Sequence, residues 1–161
     1  MTARPERKEE ESGTYVCVEF EIGGEPLGPD PRTLVETIFL DNGANLIEHE
    51  LPVLAAFDDP AKAVEAAIVC QWRVQREIDD PCRKLRIGVH SGSLSEAIAV
   101  LECSNGNQII FSGAIDVATG GALDARPMGL ATIWADSQPT QLWLSTDSRP
   151  DIDGRPLRIP T

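Results

Sequence analysis

The stretch that most constrains this chain is Leu85-Arg86-Ile87-Gly88-Val89-His90-Ser91-Gly92, which runs from an apolar alternation straight into a turn of small residues. Leu85, Ile87 and Val89 alternate with Arg86 and Gly88, the two-residue period of a strand, and Ser91-Gly92-Ser93 reads as a turn before a further helical segment. Any α/β domain contains such a strand, so the constraint comes from its neighbours. Ahead of it, Asp58-Asp59-Pro60 opens the strongest helix of the chain. Val64, Ala67, Ile68 and Trp72 form its apolar stripe, Lys62, Glu65, Arg73, Arg76 and Glu77 lie elsewhere, and Asp80-Pro81 ends it. Behind it the pattern predicts a short helix from Leu94 to Cys103, a strand from Gln108 to Phe111 and a helix around Ala114 to Thr119.

The N-terminal half supplies the rest of an alternating architecture. Residues 1–13 are polar and of mixed charge, and are expected to form a disordered tail. Thr14 to Ile22 alternates as a first strand, and the Gly- and Pro-rich stretch Gly23 to Pro29 is a loop. Asp30-Pro31 starts a helix carrying Leu34, Val35, Ile38 and Phe39 on one face, which ends near Asn42-Gly43. Ala44 to His49 and Val53 to Phe57 are two strands split by Glu50-Leu51-Pro52. After Gly120-Gly121, Met128 to Trp134 and Thr140 to Leu144 are expected as a final strand pair. From Thr146 to Thr161 the composition turns to Asp, Arg and Pro, expected as an extended tail on the surface or detached. The fold class is α+β, a ferredoxin-like βαββαβ core with C-terminal additions, and residues 14–145 form its single domain.

Charge and cysteine content narrow the function. With 14 basic and 26 acidic residues the net charge is -12, which argues against nucleic acid and against a membrane surface as partners, because both require clustered Lys and Arg. No apolar run approaches the ~20 residues of a membrane span. Cys17, Cys70, Cys82 and Cys103 are widely spaced without a C-x-x-C pair, so they read as reduced thiols in a cytoplasmic protein, not as a metal or disulfide framework. The absence of a Gly-Lys-Ser/Thr phosphate loop disfavours ordinary ATPase chemistry.

The segments Ala56-Phe57, Pro60 to Gln71, Ile87 to Gly92, Ala97 to Leu101 and Gln108 to Ser112 resemble, in order and spacing, the catalytic domain of class III adenylate and guanylate cyclases. The resemblance covers about Thr14 to Leu144. Leu142-Trp143-Leu144 and Pro156-Leu157-Arg158 look like the tails of actinobacterial members. What it implies is a nucleotide cyclase-like fold whose active sites form between two domains arranged head to tail. Two carboxylates of such a site hold divalent cations on a nucleoside triphosphate.

The resemblance also shows where this chain departs from the family. Glu21, in Glu21-Ile22-Gly23-Gly24, stands at the place of the first metal carboxylate, one methylene longer than the family's Asp, and is its remnant as a metal ligand. Leu51, after Glu50, falls at the second carboxylate and offers no ligand oxygen. Ile47 stands where a purine-selecting Lys belongs. Glu96 and Val100 occupy the places of the Asn and Arg that steady ribose and phosphate, and the connection from Gly92 to Glu96 is about a dozen residues shorter than the family's.

The expectation is therefore a degenerate cyclase-homology domain with no catalytic residues and no cofactor, Mg²⁺ or Mn²⁺ entering only with residual activity. It is expected to act as a regulatory or interaction module, partnered by a second copy or by another protein. Two alternatives stand beside it. One is a divergent cyclase or one half of a heterodimeric one, and the other is a sensor binding a nucleotide without turnover between Ile22 to Gly24 and the Leu51 turn. His90 reads as a structural residue, His49 with Glu48 and Glu50 as a solvated edge, and Trp72, Trp134 and Trp143 as core or interface.

Overall fold

The computed structural model describes residues 12–25, 30–47, 52–78, 80, 82–133 and 138–158. Its elements, in chain order, are β1 (Gly13–Ile22), α1 (Arg32–Asp41), β2 (Asn45–Ile47), β3 (Val53–Phe57), α2 (Pro60–Glu77), β4 (Arg83–Gly92), α3 (Leu94–Glu102), β5 (Gln108–Ser112), α4 (Gly113–Ala118), β6 (Ala125–Ala131) and β7 (Thr140–Ser145). They form one mixed seven-stranded sheet in the order β2-β3-β1-β4-β5-β7-β6. The β2-β3-β1-β4 part is the antiparallel ferredoxin-like core. β5 joins it parallel to β4, through the α3 crossover, and the β6–β7 hairpin completes the sheet.

Local chemistry sets the helix ends. The Asp59 carboxylate accepts the Ala61 N–H at 2.9 Å and Pro60, which has no N–H to satisfy, opens α2. Ser93 and Glu96 form a reciprocal capping box on α3. At the end of α1, Gly43 adopts φ +83 and donates to the Leu40 carbonyl, the left-handed stop that glycine allows.

The two faces of the sheet bury different partners. Val16, Val18, Val53, Ala55, Ile87 and Val89 face α1 and α2, meeting Val35, Ile38, Phe39, Ala63, Ala66, Ala67, Cys70 and Val74. Within this core Phe39 and Phe57 stack edge to face at 6.1 Å. On the opposite face Tyr15, Cys17 and Leu54 pack against Ala97 and Leu101 of α3. Gly88 is what lets α3 lie so close, because a Cβ there would meet the Leu101 backbone N at 2.5 Å and its Cα at 2.7 Å. The motif strand is thus fixed on one side by apolar side chains and on the other by the lack of one.

Several boundaries differ from the sequence reading; β1 already begins at Gly13, inside the expected tail, and β5 and β7 each run one residue further, to Ser112 and Ser145. β4 extends to Arg83 and Gly92 because β1 pairs with it along its whole length, from Gly13 opposite Gly92 to Ile22 opposite Arg83. β6 begins at Ala125, not at Met128, and ends at Ala131. Its pairing with β7 shifts register between Pro127 and Gly129, and this break hides the strand period in the sequence. α3 ends at Glu102, one residue early, with Cys103 as its cap. The predicted turn at Glu50-Leu51, the Glu48-His49-Glu50 group and Trp134 lie outside the described residues.

Cys17, Cys70 and Cys103 are free and buried, and burial pushes the Cys17 thiol up to about 12 and raises Cys70 as well, so these thiols are inert neutral packing groups. Among the described residues no helix is long and apolar enough to cross a membrane.

Candidate functional site

The corner holding Glu21 is built by the last residues of β1, the first of β4, the loop after α3, and residues 147–158, which we call the strap. Glu21 lies opposite Lys84 in the β1–β4 register. One carboxylate oxygen accepts the Gly106 N–H at 3.3 Å and the other accepts Arg155 Nη2 at 3.3 Å. Gly106 is required by this approach, since a Cβ would meet Lys84 Cβ at 2.6 Å and Glu21 Oε1 at 3.0 Å. Burial alone would raise the Glu21 carboxyl pKa, but the Gly106 N–H, the Arg155 guanidinium and the more distant charge of Arg158 together hold it below the ordinary carboxylate value. The side chain is therefore ionised at neutral pH and surrounded by cations.

Arg155 reaches Glu21 because the strap is fastened along its length. Gln108 of β5, fully buried, donates to the Asp153 and Arg155 carbonyls at 3.0 and 2.8 Å. Its oxygen accepts the Asn105 N–H at 2.8 Å, and Asn105 Nδ2 donates to the Pro156 carbonyl at 2.8 Å. Backbone N–H groups of Asp153 and Arg158 donate to the Asn107 and Cys103 carbonyls, both at 2.9 Å. Ile152 and Leu157 pack against the core clusters beneath.

A local repeat makes the strap. In Asp147-Ser148-Arg149-Pro150 and Asp153-Gly154-Arg155-Pro156 the Asp carboxylate accepts the Arg backbone N–H, at 2.9 and 2.8 Å, and pairs with the Arg Nε, at 3.0 and 2.9 Å. Each guanidinium so oriented then reaches a Glu of the domain. Arg149 forks onto Glu65 of α2 at 2.8 and 2.9 Å, and Arg155 meets Glu21. This Asp-x-Arg-Pro repeat was the sequence signal for the strap, and it went unused because a charged, Pro-rich terminus also fits a solvated tail.

Among the described residues, the other positions marked by the resemblance are not gathered around Glu21, and Leu51 lies outside them. Glu96 turns inward, accepting the Ser93 N–H at 3.0 Å and facing His90 Nε2 at 3.2 Å, while His90 Nδ1 meets Ser112 Oγ at 2.7 Å. Burial would raise the Glu96 carboxyl, and the Ser93 and His90 contacts override it and lower it. His90 pairs across to Tyr15 and Lys84 to Glu21, so the two glutamates belong to opposite ends of the β1–β4 ladder, about 20 Å apart at ~3.3 Å per strand residue. Val100 is fully buried with Cys103, Ile110 and Leu142. Ile47 packs against the Tyr15 and Leu101 cluster. Trp143 packs on the core and Trp72 carries the Arg76 guanidinium 4.9 Å over its ring, as core and surface contacts respectively.

Comparison with known proteins agrees with this fold. Among solved structures, the chain is similar to an adenylate/guanylate cyclase/hydrolase from Silicibacter pomeroyi, with TM-score 0.68 and 14% identity over 85% of this chain and 98% of that one. It is also similar to an adenylate cyclase from Trypanosoma brucei in its monomeric state, with TM-score 0.70 and 15% identity over 91% and 95%. The adenylyl cyclase CyaB from P. aeruginosa matches with TM-score 0.66 and 17% identity over 89% and 98%. No family model and no curated sequence relative matches. The chain has the fold of the class III adenylate/guanylate cyclase catalytic domain.

Proposed function

We propose that this chain is a non-catalytic cyclase-homology domain that works as a regulatory or protein-interaction module, by self-association or with a partner protein, in the cytoplasm. The observation that carries this reading is the coordination of Glu21: one carboxylate oxygen is used by the Gly106 N–H and the other by Arg155. A divalent cation needs oxygens facing a common point, whereas the charged groups acting on Glu21 are Arg155 and Arg158. The residues at this corner do not fit Mg²⁺ or Mn²⁺, and among the described residues no group of three His, Cys, Asp or Glu side chains gathers that would hold a metal. Glu96, spent on the α3 cap and His90, and Val100, spent on packing, support the same reading.

Purified protein with ATP or GTP and Mn²⁺ yields no cyclic nucleotide on this account, and clear turnover abolished by Glu21→Ala overturns it. Light scattering over a concentration series tests self-association. The reading of one half of a heterodimeric enzyme is favoured by one fact, the ionised state of Glu21. It requires activity only when this chain is mixed with an intact cyclase chain and its loss on Glu21→Ala.

A further inference from the structure

Residues 147–158 form neither helix nor strand, so no backbone ladder holds the strap. Its contacts with the body fall at two ends and a middle. At the start, the Arg149 guanidinium forks onto Glu65 of α2 at 2.8 and 2.9 Å, with side-chain exposures of 35% and 50%. In the middle, Gln75 and the Asp151 backbone exchange two hydrogen bonds, both 2.8 Å, and the Asp153 N–H donates to the Asn107 carbonyl at 2.9 Å. At the far end Arg155 meets Glu21, and the Arg158 N–H donates to the Cys103 carbonyl. Upstream, the Thr146 N–H donates to the Asp124 carbonyl at 2.8 Å, which fixes the point from which the strap departs.

One buried side chain ties these contacts together. Gln108 is 0% exposed, and its Nε2 donates to two strap carbonyls, those of Asp153 and Arg155. Its Oε1 is held by the Asn105 N–H, and Asn105 Nδ2 donates to the Pro156 carbonyl. Lifting any part of 153–156 strands a donor that burial makes costly to leave unmet, so these residues leave together or stay. Apolar anchoring is slight: Pro150 is the strap's one buried residue, and Ile152 and Leu157 are half-buried on the clusters beneath. Both Asp-x-Arg-Pro turns are closed by the strap's own Asp and Arg, so it keeps its local shape when it lifts. Solvent-shared ion pairs at the ends and a cooperative amide clamp between them make a segment that opens below the limit of global unfolding.

We propose that the strap is a two-ended clasp that opens and closes as one unit, so that drawing Glu65 away from Arg149 on α2 frees Glu21 from Arg155 at the end of β1. The input is competition for Glu65, whose half-exposed carboxylate is open to a cationic side chain of a binding partner. The output is the release of Glu21 and of the Asn105 and Gln108 amides that the strap covers. Because both clips bias one open–closed equilibrium, the coupling is reciprocal, and loosening Glu21 also loosens Arg149. The strap is then an autoinhibitory contact of an interaction module. The clasp does not depend on whether the chain is a cyclase, and its failure leaves the closed state of the Glu21 corner as described.

The test is amide hydrogen exchange by NMR on the full chain at neutral pH. It is read at Asp151, Asp153 and Arg158, whose N–H groups all donate to the body, with Ile87 and Val89 of β4 as the core reference. In the native chain the three strap amides are expected to share one protection factor within about threefold, at least about tenfold below the core reference. Glu65→Arg, an exposed substitution that sets two cations against each other, is expected to raise exchange about tenfold at all three, Arg158 at the far end included. Glu21→Gln is expected to raise it about threefold, at Asp151 as much as at Arg158. Exchange that is unchanged, or raised only beside the substituted clip, overturns the proposal, because the two ends then move independently. So does strap protection equal to that of Ile87 and Val89, since the strap then opens only with the whole fold.

Discussion

The interior of β4 and the corner at the end of β1 obey different rules. Inside, Leu85, Ile87 and Val89 are at most 1% exposed and Gly88 is pressed against the α3 backbone, so every position is set by volume. At the corner, Glu21 and Arg155 keep side-chain exposures of 29% and 47%, and the contacts are ionic and shared with solvent. Packing tolerates little change, whereas an exposed charged position can be given a new partner at small cost. The cyclase fold persists in the first region. In the second, on our reading, a strap guanidinium stands where a cation would otherwise be needed.

This contrast breaks if interior substitutions prove mild. Phe111→Ala, near the end of β5 and buried at 1% exposure, is expected to lower stability by about 3–5 kcal/mol in denaturant unfolding. Gly88→Ala is expected to cost about 3 kcal/mol, the upper end of overpacking, because its Cβ would meet backbone that has no rotamer to escape into. Gln108→Ala sharpens the comparison. It removes two donors to the strap and is expected to cost about 1–3 kcal/mol, with faster hydrogen exchange at residues 153–158 and no change in the α1–α2 core. Arg155→Ala and Glu21→Gln are expected to change stability by less than about 1 kcal/mol, as solvent-screened pairs do.

The pH dependence carries the smallest effects. Glu21, Glu96 and Asp147 all have folded-state carboxyl pKa values below their ordinary ones. For such groups the stabilisation is fully present above the unfolded values, about 4.3 for Glu and about 3.9 for Asp, and is lost as pH falls through the lowered folded values. The Tm should therefore decline below about pH 4.3, and Glu21→Gln should make that decline shallower. An unchanged acid limb in this variant would show that Glu21 is not held by its cationic neighbours.

The order of elements and most core faces were legible in the sequence, because two-residue and 3.6-residue periods report burial directly. On α2 the reading was partly off: Val64 and Trp72, read into its apolar stripe, are only half-buried, and the buried row runs through Ala63, Ala66, Ala67, Cys70 and Val74. Leu85, Ile87 and Val89 announced their face, and Asp59-Pro60 announced the start of α2. The β6 boundary was not legible, since the register shift at Pro127 to Gly129 erases the period. At the candidate site, Glu21 was found only through resemblance, and its partner was missed. Arg155 lies 134 residues away in sequence, and no local period connects the two.

The central claim, that the Glu21 corner is a closed ion pair and not a cation site, is tested most directly by Mn²⁺ electron paramagnetic resonance on the full chain at neutral pH. The account predicts that the six-line signal of the free ion persists equally in the native protein and in Glu21→Ala. A signal that is quenched by the native protein and restored in Glu21→Ala would contradict it.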